Sequence, residues 1–220
     1  MGVNDEAEAL KQRLLAEADE ATAERVRAGL EALASMHPAA RALGPGDTAP
    51  DFTLRDLHGR PVRLHDHLAR GPVVLSFIRG GWCPFCSLEL RAWQARIEAL
   101  HEAGGDLLAI TPEVPADARA RAEALELAFP VLSDVDQAVS ADYGLVFGLP
   151  DAAREAQDRL DAPLDRVNAD GSWRLPVPAT YVVAADGRIR WAYVADDYTR
   201  RAEPAKVIEA GFGGGQSTQG

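Results

Sequence analysis

Apolar residues fall along this chain in two rhythms, one helical and one extended. Between Glu6 and about Met36, Leu10, Leu14, Val26, Leu30 and Leu33 recur at three- and four-residue intervals in a polar, Ala-rich stretch. That spacing predicts one or two amphipathic helices. Their apolar load is light, so the arm is expected to dock on the body of the protein or on a second subunit. "LGPGDTAP" at Leu43–Pro50 then punctuates the chain, and a compact domain is expected to begin there. "DFTLRDLHGRPVRL" reads as two short strands around a turn near His58-Gly59. "PVVLSFI", Pro72 to Ile78, is a continuous apolar run of the kind buried on both faces of a sheet. Cys86, Leu90, Trp93, Ile97 and Leu100 follow as a single helical stripe, which Gly104-Gly105 stops.

"DLLAI", "ADARARAEALEL" and "PVLSD" continue as strand, helix and strand. The resulting βαβαβ order predicts a parallel sheet with helical crossovers. Asp134 to Trp173 is less regular, with short helices expected around Ala138–Tyr143 and Asp151–Leu160. "ATYVVAADGRIRWAYV" predicts a hairpin turning at Asp186-Gly187, and "EPAKVIEAGF" a last helix with Pro204 at its start. The expected organisation is a helical arm over 1–42, an α/β domain over 43–212 and a flexible tail over 213–220.

Composition narrows the function classes. At 220 residues and 47% apolar, the chain has enough hydrophobic mass for a real core. A net charge of −11 argues against a nucleic-acid partner, because phosphate binding needs concentrated Lys and Arg. No segment approaches the roughly 20 consecutive apolar residues of a membrane span. The start, "MGVNDEAEALKQ", is charged where a signal peptide would be apolar. A cytoplasmic protein without a membrane partner is therefore expected. Structural disulfides are rare in that compartment, so the two cysteines point first to redox chemistry or metal.

Cys83 and Cys86 lie just after the buried strand and open the following helix. The first turn of a helix leaves N–H groups unpaired and carries partial positive charge, which favours a thiolate. Cysteines so placed in CxxC motifs have pKa values lowered from ~8.5 to roughly 3.5–7.5. The apolar stripe begins at Cys86, so that sulfur should face inward, with Cys83 accessible at the mouth. Residues three apart at a helix start can close a disulfide. Cys83 is thus the expected attacker and Cys86 the resolver. A metal site would need two more ligands; His65 and His67 exist, but no spacing ties them to the cysteines. A purely structural pair of thiols is the remaining reading.

Trp82-Cys83-Pro84-Phe85-Cys86 after a buried strand, with "VPATYVV" some ninety residues later, resembles the thioredoxin fold. There a Pro, usually cis, precedes an antiparallel strand beside the active-site disulfide; Pro178 matches it, with Val177 offering backbone to a partner chain. "GDTAPDFTL" (Gly46–Leu54) and "YVVAADGRIR" are similar to the peroxiredoxin family of alkyl hydroperoxide reductase and thiol-specific antioxidant type. "RGGWCPFCSLELRA" and "WRLPVPATYVV" resemble its CxxC-carrying branch. The resemblance covers roughly Leu43 to Phe212. It implies a thioredoxin-like α/β fold, a central mixed sheet flanked by helices, with the arm as an extension.

The chain departs from that pattern at three places. The family's Thr or Ser before the attacking Cys is Gly80, its earlier Pro is Ser76, and its Arg falls about where Pro178 stands. Arg79 is positioned to supply the missing positive charge, unless it faces solvent or pairs with a carboxylate. Thr111 ends a strand at the edge where parallel sheets present active residues. Trp82 is expected to shield the disulfide, and "DDYTRR" (Asp196–Arg201) to line the entrance.

The activity this implies is reduction of hydrogen peroxide or alkyl hydroperoxides without a cofactor. Cys83 would become a sulfenic acid, Cys86 would close the disulfide, and a thioredoxin-like or glutathione-linked reductant would reopen it. A general thiol–disulfide oxidoreductase and a redox-sensing module working through the arm are the alternatives. The arm leaves room for a homodimer.

Overall fold

The computed structural model describes residues 2–160 and 164–213. The tail expected over 213–220 therefore lies, from 214 onward, outside the described residues.

Two helices open the chain, α1 (Val3–Glu17) and α2 (Glu20–Ser35). Asp19 separates them, its carboxylate accepting from the Thr22 N–H at 2.9 Å as an N-cap. A 3-10 turn at Pro38–Arg41 leads to β1 (Thr53–Asp56), β2 (Pro61–Arg63), α3 (Leu64–Leu68) and β3 (Val73–Phe77). Next come α4 (Pro84–Gln94), α5 (Ile97–Glu102), β4 (Asp106–Thr111), α6 (Pro115–Ala124) and β5 (Val131–Ser133). The remainder is α7 (Ala138–Asp142), β6 (Val146–Gly148), α8 (Asp151–Arg159), α9 (Leu164–Val167), β7 (Arg174–Pro176), β8 (Ala179–Val183), β9 (Ile189–Val194) and α10 (Pro204–Phe212). The stripe from Cys86 to Leu100, expected as one helix, is broken at Ala95-Arg96 into α4 and α5.

The main sheet runs β2-β1-β5-β4-β3-β8-β9. β3, β4 and β5 are parallel, while β8 lies antiparallel to β3 and β9 antiparallel to β8. Period-two alternation divides the centre of this sheet between two cores. Val73, Leu75 and Phe77 point to one side, with Leu108, Ile110, Tyr143 and Tyr181. Val74 points to the other, with Leu107, Ala109 and Val182, and meets Leu90, Trp93 and both cysteines from α4. Ser76 shares the Val74 face, and its register partner on β8 is Thr180. Two hydroxyls are thereby aimed at the underside of α4. A separate ribbon pairs β6, inside the irregular 134–173 stretch, with β7, which follows it directly; its three-residue strands are too short to show a periodicity.

The arm docks on its own body. α1 lies against α4, burying Val3 and Ala7, and α2 lies against α8. That second contact is close because its residues are small: a Cβ on Gly29 would stand 3.2 Å from both the Ala153 Cα and the Ala156 Cβ. The start of α1 is pinned by the segment before α10. Glu203 Oε2 accepts from the Val3 N–H at 2.9 Å and Glu203 Oε1 from the Asn4 N–H at 3.0 Å, satisfying donors that a helix start leaves unpaired. Asn4 and Arg201 exchange reciprocal bonds, Asn4 Nδ2 to the Arg201 carbonyl at 2.8 Å and Arg201 N–H to Asn4 Oδ1 at 3.0 Å.

The close α2–α8 contact makes a local prediction. Gly29→Val should lever α2 away from α8 while the sheet core stays intact. Hydrogen exchange should then show α2 amides opening at least about tenfold faster, with β3 and β4 unchanged. Equal protection of α2 in both proteins would contradict this packing.

Candidate active site

The two cysteines sit where β3 ends and α4 begins, at the carboxyl edge of the parallel strands, the place where open α/β sheets present their chemistry. Cys83 is the N-cap of α4, Pro84 occupies the first helical position, and the Cys83 carbonyl accepts from the Cys86 and Ser87 N–H groups at 3.0 and 3.1 Å. Both thiols are free.

Their environments differ in a way that separates their acidities. The thiol of Cys86 donates to Cys83, and the Arg79 and Arg201 guanidiniums add positive charge, so Cys83 is lowered to about 5 despite its burial. Burial pushes Cys86 well above the usual thiol range, and the neighbouring Cys83 sulfur pushes it further. At neutral pH the pair is therefore a Cys83 thiolate holding a Cys86 thiol.

Arg79 neither faces solvent nor pairs with a carboxylate. It is 2% exposed, its guanidinium lying 4.0 Å from the Tyr198 ring centre and 5.1 Å from that of Trp82. These are cation–π contacts. Its Nε has no hydrogen-bond partner.

Arg201 is the second buried cation. Its Nη2 donates to Cys86 Sγ at 3.3 Å, and its Nε stands 2.6 Å from Glu89 Oε2 as an ion pair with both side chains almost wholly buried. Nη1 donates to the carbonyls of Tyr198 and Arg200. The other Glu89 oxygen accepts from Ser76 Oγ at 3.0 Å and Thr180 Oγ1 at 3.4 Å. Desolvation outweighs Arg201 and lifts the Glu89 carboxyl to about 7.

Gly80 and Gly81 shape the turn between strand and helix. Gly80 has φ +148, and a Cβ there would stand 2.2 Å from Trp82 Nε1. The hydroxyl expected from the peroxiredoxin pattern is thus excluded by the indole. The Gly81 N–H donates to Glu113 Oε2 at 2.9 Å, and Ser87 Oγ donates to the Gly81 carbonyl at 2.9 Å. Thr111 ends β4 but does not reach the cysteines; its Oγ1 accepts from the Glu113 N–H at 3.2 Å. Its contribution is to hold the loop that carries Glu113.

Several expectations are corrected. Cys83 is not accessible at a mouth: it is 2% exposed, because Leu14, Leu15, Val26 and Leu30 of the arm, with Trp82 and Tyr198, close over it. Pro178 does lead into β8, but no peptide bond among the described residues is cis. The Val177 N–H is already committed to the Leu145 carbonyl at 2.9 Å, so it is not free for a partner chain. His65 and His67 belong to α3, before β3, and His67 Nδ1 lies 2.6 Å from Asp106 at the start of β4. That is the opposite end of the strands from the cysteines, too far for shared ligation. "DDYTRR" does line the entrance through Tyr198 and Thr199. Glu89, which sits on an apolar-looking helix, and Arg201's reach to Cys86 were not visible in the sequence.

Two outcomes check this electrostatic account. The thiolate absorbance of reduced protein should titrate near pH 5, below which the proton returns to Cys83. In Arg79→Met that midpoint should move upward. For Glu89, a carboxyl held near 7 when folded and about 4.3 when unfolded binds its proton more tightly in the folded state. Its contribution is present below the unfolded value and lost as pH rises through 7. Wild type should therefore lose stability relative to Glu89→Gln between pH 5 and 7 in urea unfolding; a constant difference would refute it.

Comparison with known proteins agrees with the architecture. The AhpC/TSA family model matches residues 45–192. The thiol-disulfide oxidoreductase ResA of Geobacillus thermodenitrificans is 35% identical over 105 residues, covering 47% of this chain and 59% of that protein. Chloroplastic peroxiredoxin Q of Sedum lineare is 32% identical over 100 residues, covering 46% of this chain and 53% of its own. The chain thus spans little more than half the length of these curated relatives. The crystal structure of peroxidoxin BcpB from Mycobacterium tuberculosis superposes with a TM-score of 0.60 at 23% identity, over 76% of this chain and 96% of that one. The mixed sheet, its helical flanks and a match over two thirds of the sequence place this chain in the AhpC/TSA family, with a thioredoxin-like fold of peroxiredoxin type.

Proposed function

We propose that this protein is a thiol peroxidase in which Cys83 attacks the peroxide and Cys86 resolves the product. The observation that carries the reading is the acidity split between two thiols three residues apart: Cys83 lowered to about 5, Cys86 raised. The thiolate is the nucleophilic form of cysteine, so only Cys83 is ready to attack at neutral pH.

In the first step the Cys83 sulfur attacks the terminal oxygen of a hydroperoxide. A sulfur–oxygen bond forms as the O–O bond breaks. The hydroxyl stays on sulfur as a sulfenic acid, and the departing alkoxide or hydroxide takes a proton from water. Arg79 and Arg201 stabilise the charge that moves from sulfur to the leaving oxygen. In the second step Cys86 loses its proton, its sulfur attacks the Cys83 sulfur, and water leaves as the disulfide closes. A thioredoxin-like or glutathione-linked thiol donor then supplies two electrons and two protons to restore the pair. No cofactor is needed.

A general thiol–disulfide oxidoreductase is the second reading, favoured by the ResA relative and by the glycine at position 80. Against it stands the 2% exposure of Cys83: a protein disulfide would have to displace the arm before the sulfur is first oxidised, whereas a peroxide would not, and only recycling by a protein donor would call for that motion.

Stopped-flow oxidation of reduced protein by stoichiometric peroxide tests the choice. Thiol loss should be fast in wild type and absent in Cys83→Ser. Cys86→Ser should accumulate a sulfenic acid that dimedone traps. Oxidation of wild type no faster than that of a free thiol of the same pKa would end the peroxidase reading, and rapid reduction of insulin would favour the second.

A further inference from the structure

A cavity of about 250 Å3 lies directly over Cys83. Its floor is Cys83, Arg79 and Phe85, while its roof comes from α1 and α2 through Leu14, Val26 and Leu30. Those helices lie outside the family match, which begins at residue 45.

The size and lining of this space say what it can hold. A water molecule takes about 30 Å3 of liquid, and an apolar cavity of about 150 Å3 is enough to take up benzene. Hydrogen peroxide, with two heavy atoms, would leave most of the space unfilled. Two independent features point to an organic occupant. Only four large apolar side chains are exposed among the described residues, and two of them, Leu14 and Leu160, stand at this mouth. The buried Arg79, which lines the floor, has an Nε–H without a partner. An oxygen of a bound hydroperoxide is the acceptor that would satisfy it.

We propose that the arm helices are the specificity wall of the peroxide site, and that Leu14, Val26 and Leu30 select a hydroperoxide with an apolar organic group of about ring size over hydrogen peroxide. This rests on the thiol peroxidase reading. The organic group packs against the arm leucines, its peroxide end meets Arg79 and the Cys83 sulfur, and it leaves as the corresponding alcohol once the O–O bond breaks. Lys11 at the rim does not compete for it, being held by Glu8 at 2.9 Å.

The test compares cumene hydroperoxide with hydrogen peroxide on the reduced full-length protein, following thiol oxidation by stopped flow. A single methylene in an apolar pocket commonly changes kcat/KM by tenfold or more, so wild type should prefer cumene hydroperoxide by at least about tenfold. Leu30→Trp, which fills the cavity, should bring the ratio of the two rate constants close to one. Leu14→Asn, at an exposed lip where folding is not at risk, should lower it by about threefold. The product alcohol, 2-phenyl-2-propanol, should slow alkylation of Cys83 by iodoacetamide in wild type and not in Leu30→Trp. Equal rates in wild type, or a ratio that both variants leave unchanged, would overturn the proposal while leaving the peroxidase standing. Oxidation by neither peroxide would remove both.

Discussion

The arrangement depends on burying the Arg201 guanidinium beneath the cysteines. A charge that deep is tolerated only when it is paired and hydrogen-bonded, and three parts of the molecule are organised to satisfy it. Glu89 of α4 supplies the counter-charge, the Cys86 sulfur accepts one N–H, and the carbonyls of Tyr198 and Arg200 accept others. Glu89 in turn needs Ser76 and Thr180, whose hydroxyls meet only because β3 and β8 pair in that register. The main chain of Arg201 holds Asn4, and with it the start of the arm. Sheet register, cysteine electrostatics and arm position are thus tied at one residue. In the AhpC/TSA pattern Ser76 replaces a proline, and this network shows what a side-chain donor there makes possible.

A second constraint acts from above. Cys83 is acidic because it is surrounded by donors and cations, and it is shielded because the arm and Tyr198 close over the same cations. Shielding strengthens those interactions, since charges act more strongly where water is excluded. It also limits access. A small substrate can enter through an apolar mouth, while the thiols of a protein reductant cannot reach a sulfur that is 2% exposed. Recycling by a protein donor would therefore require α1 and α2 to move. What holds them is a close small-residue seam at Gly29, the apolar burial of Val3, Ala7 and Leu33, and a polar clamp at Asn4 and Glu203, all of which that motion would have to open.

Local pattern carried the elements well and their tertiary neighbours poorly. β3, β4, α4 and the β8–β9 hairpin each carry a local periodicity or a turn dipeptide, which makes them legible in the sequence. Cys83 and Cys86 were visible for the same reason. The Arg201–Cys86 contact joins residues 115 apart, and nothing in "DDYTRR" marks its second arginine as buried. Glu89 hides on α4 because a lone acid among apolar residues looks like a solvent-facing position. The exposure of Cys83 depends on where the arm docks, and the arm's sparse leucines declare that it has an apolar side without saying what that side covers.

The departures from the peroxiredoxin pattern now form one argument. The missing hydroxyl at Gly80 is a steric consequence of Trp82, whose indole occupies the space a Cβ would need. Trp82 is held there by stacking with Arg79, and Arg79 supplies part of the positive charge that the family's displaced arginine would have brought. The remaining part comes from Arg201. A hydroxyl and one arginine are replaced by two guanidiniums, one on either side of the thiol pair: Arg79 against the rings near Cys83, Arg201 against Cys86. The substitution changes what the site favours. A hydroxyl beside the attacking sulfur can donate to a small peroxide, whereas an indole and a phenol framing a guanidinium offer apolar faces to whatever the peroxide carries. Trp82 thus both takes the place of the family's hydroxyl and lends one apolar face to the chamber that the arm helices close.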